Sequence, residues 1–104
     1  MTVSRLPVHP GKVIKRELEA INISPNKLAV ELRVPASRID RIVKCQRSVT
    51  PVTALRLAQF FGGSAKFWLK LQSNHDLAIA ETEEGQKVRE EITPFVLEYE
   101  MATC

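Results

Sequence analysis

The stretch "RVPASRIDRIVKCQRSVT", residues 33–50, decides how the chain is read. It carries five cations (Arg33, Arg38, Arg41, Lys44 and Arg47) against one acid, Asp40. Threaded among them are Ile39, Ile42 and Val43, at helical spacing. A helix advances about 100° per residue. With Arg38 set at about 0°, Ile42, Ile39 and Val43 fall at about 40°, about 100° and about 140°. Lys44, Ser37 and Arg41 then fall at about 240°, about 260° and about 300°. One face is built to dock on a core; the other offers short or cationic side chains. Such a face is either simply solvated or made to meet a polyanion. With so little acid on the segment, no i,i+4 ion pairing is expected to account for its cations.

Working outward, Val34-Pro35 places a proline near a first helical position, and His9-Pro10, Ser24-Pro25 and Thr50-Pro51 do the same. Ser24 and Thr50 are good N-caps, and Ser64 offers a fifth start after Gly62-Gly63. Apolar spacing predicts a helix over about 10–21 that buries Val13, Ile14, Leu18 and Ile21. The next two span about 25–32 (Leu28, Ala29, Leu32) and about 35–44 (Ile39, Ile42, Val43). A fourth runs over about 51–61 (Ala54, Leu55, Ala58, Phe61) and a fifth over about 65–80 (Ala65, Trp68, Leu69). Period-two alternation is limited to a short stretch near Ile92 to Leu97. The fold class is therefore all-α, with five helices over 1–80 and a charged C-terminal extension over 81–104. Glu81-Thr82-Glu83-Glu84 reads as a solvated linker, and Val96 and Tyr99 as residues able to dock locally. The short second and third helices, joined by a tight turn, form a helix-turn-helix pattern over about 24–45.

At 104 residues the chain fits one domain, with the 44% apolar and 26% charged content of a soluble globular protein. No apolar run approaches a membrane span and the N-terminus has no secretory h-region, so a cytoplasmic location is expected. Cys45 and Cys104 form no C-x-x-C pair and read as free thiols. Residues 1–60 hold eleven Lys/Arg against four acids, whereas residues 61–104 hold four against eight. That division suggests nucleic acid at the first part and another partner at the second.

Double-stranded DNA gives the cationic face a purpose. Phosphate contacts supply affinity, and the start of a recognition helix reads bases. Ala36 and Ser37 would approach base edges, while Arg38 and Arg41 have the fork that meets guanine bidentately. Lys44 and Arg47, with the hydrogen-bonding Gln46, suit backbone phosphates.

The run "SPNKLAVELRVPASRIDRIVKCQRSVTPVTALRLAQFFGGSAKFWLKLQSNHDL" (24–77), with "HPGKVIKREL" (9–18), closely resembles the HigA-type antitoxins of the Xre helix-turn-helix family. The resemblance implies a five-helix, lambda-repressor-like DNA-binding domain, commonly homodimeric, in a bacterial cytoplasm. It further implies a HigB-like mRNA-cleaving toxin as partner and repression of the operon that encodes both. Some members of the family act only as stand-alone regulators. Mapped onto this chain, the recognition helix is Pro35 through Lys44, the turn Arg33-Val34, and the following loop Cys45 through Val49. The expected DNA-contacting set is Pro35, Ala36, Ser37, Arg38, Arg41, Lys44, Gln46 and Arg47. Many members carry glycine where this chain has Arg33 and Cys45. Both are therefore expected in the left-handed region, at a cost of roughly 1 kcal/mol each.

The remaining signals read as structural. Phe67 and Trp68 fit core packing better than a base-stacking platform. The fifth helix is apolar on two sides, and Phe67 and Leu71 on its second side are expected at a dimer or toxin interface. His9 and His75 lie near opposite ends of the helical region, and neither has metal-ligand spacing to a defensible partner. Cys45 sits among cations but has no His or resolving Cys beside it in sequence. No phosphate loop, nucleophile elbow or carboxylate pair is present, so neither catalysis nor a metal or other cofactor is expected.

Overall fold

The computed structural model describes residues 7–96, which form five helices. These are α1 (Pro10–Ile21), α2 (Pro25–Leu32), α3 (Ala36–Val43), α4 (Pro51–Phe61) and α5 (Ala65–Glu91). Pro10, Pro25 and Pro51 each open a helix directly behind an N-cap whose side chain accepts a backbone N–H: His9, Ser24 and Thr50. Proline loses nothing there, because its missing N–H has no intrahelical partner in any case. Pro35 departs from this pattern by being the N-cap of α3 itself, without a side-chain capping bond.

α2 packs on α3, α4 on α5, and α1 bridges α3 and α5. The core comprises Ile14 and Leu18, Leu28 and Leu32, Ile39 and Ile42, Leu57 and Trp68, with Val49 and small alanines between them. Two expected core residues are outside it. Leu55 is 62% exposed and Leu57 takes the interior position, because α4 turns Ala54, Leu57 and Ala58 inward at i, i+3, i+4 spacing. Ile21 is 46% exposed, since α1 ends there and the chain reverses at Asn22, so that Ile23 packs on the core instead.

The predicted linker is also corrected. Residues 81–84 are helical, α5 runs unbroken to Glu91, and the expected boundary at residue 80 falls inside it. Ala, Glu, Gln and Lys favour helix even when fully solvated, and Thr82 Oγ1 donates to the Ala78 carbonyl at 3.0 Å. Beyond Ile79 every described residue is exposed except Gly85. Arg89 reaches Glu81 at 2.8 Å over Gly85, where a Cβ would crowd the Glu81 carboxylate. Ile92 ends the helix, and Pro94 holds the chain out of helical geometry. No strand forms over residues 92–96. Val96 is 57% exposed and therefore undocked, while Tyr99 lies outside the described residues. No described helix is long and apolar enough to cross a membrane.

Candidate nucleic-acid interface

Three helices end in the same way. Asn22, Arg33 and Cys45 all have positive φ, at 59°, 58° and 62°. After each, the next amide reaches five residues back: Ile23 N to Leu18 O at 3.0 Å, Val34 N to Ala29 O at 3.0 Å, Gln46 N to Arg41 O at 2.8 Å. This is a Schellman ending, which satisfies otherwise orphaned carbonyls. Arg33 and Cys45 thus occupy the left-handed geometry expected of them, at either end of α3.

At the α2–α3 turn, Arg56 Nη1 donates to the Leu32 carbonyl at 2.9 Å, closing the end of α2 from α4. Val34 packs against the core. On α3, Ile39 and Ile42 are fully buried; Ser37, Arg41 and the C-cap Lys44 are exposed on the other side, and Ala36 is exposed in the first turn. The wheel is therefore phased as the sequence suggests. Arg38 is half-buried, and its Nε is shielded from solvent without a partner, so its stem is held at the core edge. Pro35, Gln46 and Arg47 are exposed.

One expectation about this face needs correcting. Lys44 does have an i,i+4 acid: its Nζ lies 3.2 Å from Asp40 Oδ2, both side chains being more than half exposed. Such a pair contributes about 0–1 kcal/mol and yields readily to a phosphate. Among the described residues, no acid lies within ion-pair distance of Arg38, Arg41 or Arg47.

The loop after α3 is fastened from a distance. Val49 is buried and its N–H donates to Gln72 Oε1 at 2.8 Å; Gln72 Nε2 in turn donates to Asp76 Oδ1 at 3.0 Å. Thr50 then caps α4 by accepting from Thr53 N. The exposed Gln46-Arg47-Ser48 segment is therefore strung between α3 and a buried anchor. Gln72 does not stand out in the sequence. The available signal is its position four residues after Trp68, a polar side chain on a buried stripe.

Gly11 is equally inconspicuous in the sequence. A Cβ built there would collide with the Ile42 carbonyl oxygen, so α1 touches the end of α3 backbone to backbone. His9 and His75, remote in sequence, meet edge-to-face with ring centroids 5.0 Å apart. His9 Nδ1 accepts the Gly11 N–H at 2.9 Å and so caps α1 as a neutral imidazole. Burial, with the neighbouring His75, holds its pKa below the usual histidine value, and Asp76 opposes the shift.

The aromatics divide. Trp68 is buried, but Phe67 is 50% exposed, packing edge-to-face on Trp68 at 5.1 Å instead of joining the core. Leu71 is half-buried against the core and offers less to a partner than expected. The large exposed apolar residues of α5 and the described segment after it are Phe67, Leu77, Val88, Ile92, Phe95 and Val96. Cys45 is an exposed free thiol.

No family model matches the chain. It is 45% identical over 75 residues to virulence-associated protein I of Dichelobacter nodosus, covering 71% of this chain and 69% of the relative. An addiction module antidote protein of a HigA family from Coxiella burnetii superposes with TM-score 0.83 at 42% identity. That match covers 86% of this chain and 99% of the other. The Pseudomonas aeruginosa antitoxin HigA, solved with the higBA promoter, gives TM-score 0.83 at 40% identity over the same shares.

Proposed function

Because the chain belongs to the HigA family of helix-turn-helix antitoxins, alongside virulence-associated protein I, we propose that it is a DNA-binding antitoxin and autorepressor. It binds the operator of its own operon as a homodimer and neutralises a HigB-like mRNA-cleaving toxin encoded beside it. The observation that supports this best is α3 itself. Ser37, Arg41 and Lys44 face solvent directly opposite the fully buried Ile39 and Ile42, on a helix held by turns at both ends.

In this reading α3 enters the major groove from its N-terminal end. Ala36 and Ser37 pass close to base edges beside Pro35, and Arg41 reads guanine through two parallel N–H bonds. Arg38 reads from the groove edge, since its stem is partly held by the core. Lys44, Gln46 and Arg47 hold phosphates, and the Gln72–Val49 bond fixes where that loop stands. A two-fold dimer sets two such helices one or more helical turns apart on DNA. Phe67, with the exposed stripe of α5, is the surface we assign to the dimer or toxin contact.

The test is a mobility-shift assay on the DNA upstream of its own gene, with and without the neighbouring gene product. A retarded band whose mobility or affinity changes with that product is the expected result. A shift that ignores the neighbour leaves a stand-alone regulator, and no preference over random DNA sinks both.

A further inference from the structure

A cleft of about 440 Å³ lies between α1 and the end of α3, lined by Lys12, Lys15, Arg16 and Glu19 with Lys44 and Cys45. Lys12, Lys15 and Arg16 share one exposed face of α1, at i, i+3, i+4 spacing. Among the described residues none of the three has an acid within 4.0 Å. Three cations elsewhere do have one: Lys27 meets Glu31 at 3.0 Å, Lys44 meets Asp40 at 3.2 Å, and Arg89 meets Glu81 at 2.8 Å. Three cations thus gather around Glu19, which pairs with none of them. Like charges at this spacing repel one another and are stabilised when a polyanion comes between them.

Their position relative to α3 is fixed. Gly11 lies against the Ile42 carbonyl with no room for a Cβ, so the first turn of α1 stays in register with the last turn of α3. Lys44 belongs to both surfaces. It is exposed three residues beyond Arg41, at the C-cap of α3, and it also lines the cleft. One cationic track therefore runs from Arg41 through Lys44 to the α1 face.

We propose that the α1–α3 cleft seats backbone phosphates of the DNA flanking the segment that α3 reads. This rests on the DNA-binding reading and adds a second, sequence-independent contact to it. Continuity with the α3 face favours a duplex over an acidic protein as the occupant.

The test uses the full chain carrying K12Q, K15Q and R16Q together, titrated onto duplex DNA from upstream of its own gene at several salt concentrations. Abolishing one phosphate contact lowers the salt slope by roughly 0.9, so abolishing three lowers it by roughly 2.7. Wild-type affinity then falls about 40-fold more than the variant's between roughly 50 and 200 mM salt. The ranking of cognate over single-mismatch duplexes stays unchanged. Circular dichroism checks that the variant is folded, and E19Q, which removes the cleft's acid, should tighten binding. A triple variant with the wild-type slope, or an E19Q variant no tighter than wild type, overturns the proposal and leaves α3 as the DNA contact. A wild-type chain that binds no duplex overturns the DNA-binding reading itself and the cleft with it.

Discussion

The Val49 amide donates to Gln72 Oε1 at 2.8 Å, a buried bond that spans 23 residues and ties the loop after α3 to α5. Gln72→Leu keeps the side-chain bulk but leaves that N–H unsatisfied. The expected loss is about 1–3 kcal/mol, or roughly 4–8 °C in Tm per kcal/mol for a domain of this size. Hydrogen exchange at Val49 should accelerate. A variant with wild-type Tm and protection would show that the bond anchors nothing.

Arg41 and Arg47 are expected to fail differently. Arg41→Ala should cost about 1–3 kcal/mol on the cognate operator and relax choice at one base pair. Arg47→Ala should weaken all sequences alike and lower the salt slope by roughly 0.9. Titration against cognate and randomised duplexes separates the two. Equal losses on both DNAs for both variants would contradict the assignment.

The two helical glycines should respond in opposite ways to alanine. At Gly11 the added Cβ meets the Ile42 carbonyl, which is backbone and has nowhere to go, so about 1–3 kcal/mol is lost. At Gly85 it meets only the Glu81 side chain, which can swing away. Helix propensity then favours alanine by up to about 1 kcal/mol. Urea unfolding of both variants measures the contrast, and comparable losses would rule it out.

His9 makes stability depend on pH. Its folded pKa lies below the unfolded value of 6.5, because burial and His75 disfavour the imidazolium. Between the two values the unfolded chain holds a proton that the folded chain lacks, so stability rises with pH across that window. The contribution is complete above about 6.5 and is lost as pH falls through the folded value. His9→Ser keeps an N-cap, worth about 1 kcal/mol, without the titration. Unfolding midpoints should therefore converge, or cross, as pH is lowered. A gap between the two proteins that stays constant with pH would falsify this.

Glycine at Arg33 or Cys45 should stabilise the fold by about 0.5–1 kcal/mol each, since both residues hold left-handed backbone. Asn22→Gly should gain less, because asparagine tolerates that region. Thermal melts of the three variants suffice. A loss at Cys45 would mean that its side chain contributes something glycine cannot replace.

Much of this molecule is legible in one dimension. Proline behind a capping residue marks three helix starts, because the same backbone constraint applies wherever it occurs. The phase of α3 follows from Ile39, Ile42 and Arg41 alone, since helical geometry fixes which side chains share a face. The left-handed turns at Arg33 and Cys45 were legible only through the family resemblance, from the glycine that many members carry at those two positions.

The errors have a common origin in neighbours that the sequence does not place. Leu55 and Leu57 are equally apolar, and only contact with the other helices decides which goes inside. Residues 81–84 look like a linker by charge, yet they continue a helix already nucleated by the packing of α5 on α4. The His9–His75 contact, the Gln72 anchor and the Gly11 approach each join segments remote in sequence. Sequence determined which helices form and which face of α3 turns outward, because caps and periodicity act within a few residues. Tertiary structure alone decided what holds that face in place, because a hydrogen bond or a close backbone approach between distant segments exists only once both have packed.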